Sequence, residues 1–202
     1  MLEHGQCGEI QQEDDDHEDE VWDIPCEWDV TRLVAEKHGW RLNCSTMEIR
    51  PSDWESGTRI RVENLFSKTP ARLKFLRGDR AELMSIVDVV KRLAMSRMDV
   101  GFVLNNKWRF PKNQSPIERI VDVMGSDVKN RMLEIDDYSK SSNMKLYGFI
   151  SEPTLRRASS VDEYLFVNGR SVKDKVLIGA LRAAYMDVMH AREFPLCALY
   201  LS

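Results

Sequence analysis

The chain has 202 residues, 43% of them apolar, and a formal net charge of −4. That size suits one large domain or two small ones with a real hydrophobic core. It holds no apolar run of about 18 residues, and its first residues are acidic rather than basic and then apolar, which argues against a membrane span and a secretory signal peptide and for a cytosolic protein.

The net charge hides an asymmetry. Residues 1–30 carry 12 Asp and Glu and no Lys or Arg, so the remainder has a net charge of +8. The excess falls almost wholly in 31–113, with 17 basic and 9 acidic residues, while 114–202 is balanced at 12 and 12. A basic body attracts nucleic acid by neutralising phosphates and releasing counterions. A solvated, arginine-rich surface has the same composition, so charge alone does not decide. The four cysteines, Cys7, Cys26, Cys44 and Cys197, show no C-x-x-C spacing, and Cys7, His17 and Cys26 match no standard zinc site. Reduced thiols and no metal site are expected.

Residues 1–20 include EDDDHEDE and almost nothing apolar, so an acidic, disordered tail is expected over 1–30, with order resuming near Trp22 and Trp28. Val30 to His38 reads as a short helix stopping at Gly39. Trp40 to Asn43 and Met47 to Arg50 read as strands, and Arg59 to Asn64 alternates polar and apolar as a half-buried strand does. Thr69-Pro70 predicts a hydroxyl-capped helix start, and Asp79 with Glu82 a second in capping-box style. The second helix places Leu83, Ile86, Val87, Val90, Leu93 and Ala94 on one stripe. Val100 to Leu104 and Lys107 to Phe110 read as strands joined at Asn105-Asn106.

The polar break at 111–114 marks an expected boundary, giving domains 31–113 and 114–202. Ser115-Pro116-Ile117-Glu118 is a cap, a first-turn proline and a capping-box glutamate in sequence, predicting a helix to Gly125. Arg131 to Asp136, Met144 to Ser151 and Glu163 to Val167 read as strands, the last turned by Asn168-Gly169. Ser171 with Asp174 is expected to cap a long helix with Val172, Val176, Leu177, Ala180, Leu181, Ala184, Tyr185 and Val188 inward, before a strand at Pro195 to Leu201. The pattern is α+β, with helices expected on one face of a small mixed sheet.

Two segments carry the functional information. The first is Gly57-Thr58 followed by RIRVENLFSKTPARLKFLR, which combines Asn64-Leu65-Phe66, Thr69-Pro70-Ala71-Arg72 and Lys74-Phe75-Leu76. The second is Phe166-Val167-Asn168-Gly169-Arg170 with Val172-Lys173-Asp174-Lys175. Together they resemble the MutL family of DNA mismatch repair proteins over roughly 40–202, with an alphaproteobacterial flavour and with the acidic N-terminal stretch outside the match. The resemblance implies a remnant of a GHKL-type ATPase sandwich, in which Gly57 and Thr58 match the fourth ATP-binding motif. It implies a following transducer domain of the ribosomal protein S5 domain 2 type, incomplete at its C-terminal end. A type II topoisomerase subunit also pairs an ATPase with a transducer, but the TPAR segment argues against that relative.

The chemistry of the second segment agrees with such a role. A strand ends at Asn-Gly, the turn exposes Arg170, and a helix N-terminus follows, where backbone amides favour anions. Arg170, Lys173 and Lys175 oppose the helix dipole there, so an anionic partner such as a DNA phosphate compensates them. The bland alternative leaves them solvated with Asp174 as the cap. Arg72, Lys74, Arg77 and Arg80 form a second basic cluster, equally suited to ion pairs within the domain.

The resemblance also implies ATP and Mg²⁺, held by an E-x-x-x-N helix, a D-x-G-x-G turn and a glycine-rich lid, with a transducer lysine on the γ-phosphate. None of the three motifs occurs, and Glu36 and Glu82 lack an Asn four residues on. Phosphoryl transfer depends on metal charge and positioning, so no catalytic residue is assigned and no ATP turnover by this chain alone is expected. No G-x-S-x-G, H-E-x-x-H or P-loop offers another chemistry. The expected function is that of a MutL-like coordinator between a MutS-like protein and a downstream endonuclease and helicase, located in the bacterial cytosol or nucleoid. Its partners would be DNA and, in the intact family, a second copy; the alternative is a non-catalytic interaction module without DNA binding.

Overall fold

The computed structural model describes residues 26–30, 39–44, 46–52, 57–190 and 192–202, with 26–30 as backbone only. The acidic stretch 1–20 and residues 31–38 of the expected short helix lie outside these. The chain divides into two compact units, Met1–Leu76 and Arg77–Ser202. Residues 77–113 therefore share a unit with 114–202.

In the first unit, β1 (Cys26–Val30), β2 (Gly39–Asn43), β3 (Glu48–Ser52) and β4 (Arg59–Val62) form one sheet in the order β3-β2-β1-β4. The pairings of β1 with β2, β1 with β4 and β2 with β3 are all antiparallel, and Trp28 stands opposite both Leu42 and Ile60. Val30 thus ends a strand instead of starting a helix. A single turn, α1 (Pro70–Leu73), follows. Its proline sits at the start as expected, but the Thr69 hydroxyl makes no capping bond.

The second unit begins with α2 (Asp79–Ser96). Its N-cap is Gly78 rather than Asp79, and Glu82 reaches back to accept from the Arg77 backbone N–H at 2.9 Å. The acidic reach-back was legible, but it serves an amide two residues before Asp79. Val87, Ala94 and Met95 are the buried positions of α2, whereas Ile86 and Leu93 from the expected stripe stay half open. A hairpin, β5 (Phe102–Leu104) and β6 (Trp108–Phe110), turns through Asn105 and Asn106, both at positive φ.

Next comes α3 (Pro116–Met124), entered by the capping box that its sequence predicts: Glu118 accepts from the Ser115 N–H at 2.9 Å, and the Ser115 hydroxyl accepts from the Glu118 N–H. The remaining elements are β7 (Met132–Ser139), β8 (Met144–Ser151), β9 (Arg156–Arg157), β10 (Glu163–Val167), β11 (Arg170–Val172), α4 (Lys175–Tyr185), β12 (Phe194–Pro195) and β13 (Cys197–Leu201). Five of them form a mixed sheet, β11-β10-β13-β8-β7, in which β10 and β13 are parallel and the other pairs antiparallel. The helix α4 lies on the connection between the two parallel strands, as such a crossover requires.

Helices cover both faces of this sheet, which corrects the one-faced arrangement expected from the sequence. Tyr164 and Phe166 of β10 point into a cluster with Ala94 and Met95 of α2 and Ile120 and Val123 of α3. Leu165, between them in sequence, packs on the other side with Leu181 and Tyr185 of α4 and with Cys197. Successive strand residues face opposite ways, so a strand buried at 163, 164, 165 and 166 needs cover on both sides. Phe166, Tyr200 and Tyr147 stack across three strands with centroids 4.8 and 5.1 Å apart, and the Tyr200 hydroxyl donates to the Met95 carbonyl at 2.8 Å. Gly148 lets β8 and β13 approach closely: at φ +133, an added Cβ would stand 2.0 Å from the Ala198 carbonyl oxygen.

Candidate functional site

The basic segment is built by a two-residue hairpin. Asn168 and Gly169 take φ of 49° and 76°, the left-handed pair that a tight turn between right-twisted strands requires. Val167 then pairs with Arg170 and Leu165 with Val172. This makes 170–172 a strand, where the sequence pattern suggested the helix had already begun. Because strand side chains alternate, Arg170 shares with Val172 the face on which α4 packs.

The helix begins at Lys175 with Asp174 alone as its cap. The Asp174 carboxylate accepts from the Val176 N–H at 2.8 Å and the Leu177 N–H at 3.0 Å. Those amides were the expected anion cradle, and a carboxylate of the chain already occupies them. Those two amides are therefore not open to a phosphate. Arg170, Lys173 and Lys175 are all exposed, and no described residue offers their side chains a hydrogen bond or ion pair. Three cations cluster within six residues, fixed by a hairpin on one side and a capped helix on the other. The inward residues of α4 are Leu181 and Tyr185, supported by Leu177, Ile178 and Met189, while Val176 and Val188 from the expected stripe point to solvent.

The other basic cluster divides between the two units. Arg72 and Lys74 belong to the first unit, Arg77 and Arg80 to the second. Arg77 is engaged within its own unit, with Nε 3.8 Å from Glu82 and Nη2 donating to the Ser85 hydroxyl at 3.4 Å.

Gly57 and Thr58 precede β4 in the first unit and are exposed. Gly57 has φ +87, and an added Cβ there would meet nothing within 4 Å. No described residue closes a nucleotide cradle around Gly57, and the described residues do not by themselves fit ATP with Mg²⁺. Among them, no group of three or more His, Cys, Asp or Glu is placed to hold a metal. No described helix is long and apolar enough to cross a membrane.

Three buried charged groups, Arg119, Asp162 and Glu163, escaped the sequence reading. Arg119 of α3 has no solvent exposure, and its guanidinium donates to the carbonyls of Met98, Val100 and Pro111. It ties α3 to the strand-bearing segment before it, and burial pulls its pKa down. Glu163 opens β10 at 7% exposure, and burial raises its carboxyl pKa, partly offset by the charge of Arg182. Arg157 links distant segments differently: it pairs with Asp127 and with Asp162, each at 2.8 Å. The bond from Arg157 holds the Asp127 carboxyl below the ordinary carboxylate range. A run such as VDEYLF offers no sign that Glu163 faces inward, because its direction depends on where α2 and α4 pack.

Residues 120–202 match the family model described as DNA mismatch repair protein, C-terminal domain. The chain is 39% identical over 184 residues to the DNA mismatch repair protein MutL of Afipia carboxidovorans and, over the same length, to that of Rhodopseudomonas palustris strain BisB5. The MutL protein of Nitrobacter winogradskyi is 38% identical. In each case 86% of this chain is covered, and it spans 30% of the relative's length. Among solved structures, the Aquifex aeolicus MutL ATPase domain complexed with ADP aligns with a TM-score of 0.65 at 23% identity, covering 88% of this chain and 67% of that one. The N-terminal domain of a DNA repair protein aligns with a TM-score of 0.72 at 17% identity, covering 88% and 60%.

Proposed function

The chain belongs to the MutL family of DNA mismatch repair proteins, and from that premise we propose that it contacts the DNA backbone through the Arg170, Lys173 and Lys175 turn. The observation that carries this reading is the set of three exposed cations, without side-chain partners among the described residues, on a paired hairpin and a capped helix start. Such groups contact phosphates without reading bases, so binding is insensitive to sequence and strongly sensitive to salt.

The wider role is a proposal of the same kind. Within a complete mismatch-repair protein, this region would relay an ATP-dependent change to DNA and stand between a MutS-like recognition protein and a downstream endonuclease and helicase. Its place would be the bacterial cytosol or nucleoid, and self-association would belong to the ATP-bound assembly. Gly57 and Thr58 would contribute only part of a nucleotide site, completed by the missing Glu/Asn, adenine-binding and lid motifs.

The test is fluorescence anisotropy of a labelled duplex with the full chain across a salt series. Three phosphate contacts predict a slope of about −3 in log K against log salt. Removing residues 1–20, which hold 9 of the chain's acidic groups, is expected to tighten binding. If neither form binds at low salt, the DNA-contact reading fails and the interaction-module alternative takes its place.

A further inference from the structure

The turn that closes the basic hairpin carries two groups that nothing holds. Asn168 and Gly169 are exposed, and among the described residues neither the Asn168 side-chain amide nor the Gly169 N–H has a hydrogen-bond partner. The backbone on either side is fixed: the Asn168 N–H donates to the Leu201 carbonyl at 2.9 Å, and Val167 pairs with Arg170. A Cβ added at Gly169 would meet nothing within 4 Å, so the turn stands in open space. The other asparagines of the second unit, Asn105, Asn106, Asn113, Asn130 and Asn143, also take positive φ. Each of those is followed by a residue whose side chain crowds the next backbone nitrogen, whereas Asn168 alone in the chain precedes a glycine. Arg170, Lys173 and Lys175 add a charge bias, because nearby cations favour the deprotonated form of an N–H.

We propose that Asn168 is a deamidation site that places a carboxylate in the basic turn. The Gly169 nitrogen gives its proton to solvent hydroxide and attacks Cγ of Asn168, an intramolecular step that needs no encounter. The bond from that nitrogen to Cγ forms, the bond from Cγ to Nδ2 breaks, and Nδ2 leaves as ammonia with a proton from water. Water then opens the cyclic imide at either carbonyl, giving aspartate or isoaspartate, and no oxidant or reductant takes part. Both products set a new negative charge next to Arg170, in a cluster whose own carboxylate, Asp174, is engaged by the Val176 and Leu177 amides. Isoaspartate also routes the main chain through the former side chain, adding a methylene to the turn that sets Val167 against Arg170. The modification itself is independent of DNA. Its consequence, weaker phosphate contact, rests on the DNA-contact reading.

The test incubates the full chain in mildly alkaline buffer and follows the tryptic peptide 158–170, whose one asparagine is Asn168. Mass spectrometry reads the exchange of amide for carboxyl, and isoaspartyl methyltransferase labelling reads isoaspartate. Conversion in the folded chain is expected within tenfold of the rate in a synthetic peptide of the same residues, and at least tenfold faster than at any other asparagine of 77–202. Gly169→Ala, for which the turn has room, should slow it at least tenfold. The proposal is overturned if the folded chain converts more than tenfold slower than the peptide, if another asparagine converts as fast, or if Gly169→Ala changes nothing. A separate arm uses Asn168→Asp, the product with an unaltered backbone, which should bind the labelled duplex at least threefold more weakly than the parent, with the salt slope reduced by about 1. Equal affinity overturns the consequence for DNA. If the parent binds no duplex, the DNA-contact reading fails, and the amide exchange read by mass still decides the modification.

Discussion

The two units use the same chemistry of backbone pairing and differ in what covers it. In the first, four strands hydrogen-bond in a regular antiparallel ladder, yet among residues 39–76 with described side chains only Gly39 is buried. Ile49, Ile60, Val62 and Leu65 stay largely open, and Phe75 is 83% exposed. In the second unit, a sheet of similar size lies between α2 and α3 on one face and α4 on the other, with its central strands buried on both. Hydrogen bonds add little net stability because water offers the same bonds, whereas burying apolar surface between layers adds most of it. Stability is thus expected to reside in 77–202, with the basic turn anchored on that rigid body.

Steric intrusion gives the largest predicted contrast. Gly148→Ala drives a Cβ into the backbone of β13 at a positive φ and should destabilise the second unit by about 4 kcal/mol or more. Gly57→Ala meets only open space, and its cost should be the backbone strain of roughly 1–2 kcal/mol. Denaturant melts read by hydrogen exchange of each sheet distinguish the two. Cavity formation comes next. Ile120→Ala, at a fully buried position, should cost about 3 kcal/mol, and Ile60→Ala, more than half exposed, no more than about 0.5 kcal/mol. Equal losses at 120 and 60 would mean that the first sheet has a core of its own.

Arg157→Ala is expected to cost about 2 kcal/mol at neutral pH, by stranding two acceptors. Most of this comes from Asp162, whose side chain is 11% exposed, since water screens the half-exposed Asp127. The sign of the acid dependence follows from Asp127. Its folded pKa is depressed, so its contribution is present above the unfolded value near 3.8 and fades as pH falls through the folded one. Thermal melts of the variant and parent should therefore draw closer in acid by the Asp127 share of the loss. Glu163→Gln is the smallest effect and has the opposite sign. The folded state favours the protonated carboxyl, so the stability it allows is full below the ordinary value of 4.5 and declines as pH rises above it. At neutral pH the amide should gain about 1 kcal/mol, and the gain should vanish below about pH 4.

What was legible in the sequence follows the same divide between local and distant causes. The Ser115 and Glu118 box, the Asn168-Gly169 turn and the β10 strand rest on neighbours within a few residues, and all three are found. Strand β11 was missed because Ser171 and Asp174 mimic a capping pair, while the hairpin register claims 170–172 first. The two-sided burial of the sheet needed knowledge of where α2 packs. The same holds for Arg119, whose acceptors lie at Met98, Val100 and Pro111. Of the site, the three cations are legible in the sequence, and so is the Asp174 cap that the bland alternative names, because it rests on amides two and three residues away.

The most direct measurement is the salt dependence of duplex binding by the full chain beside its Arg170→Glu, Lys173→Glu double variant. Both positions are exposed, so the fold should be unaffected. The expected result is binding at least tenfold weaker at low salt, with the log–log salt slope reduced by about 2. Unchanged affinity and unchanged slope would contradict the placement of DNA at this turn.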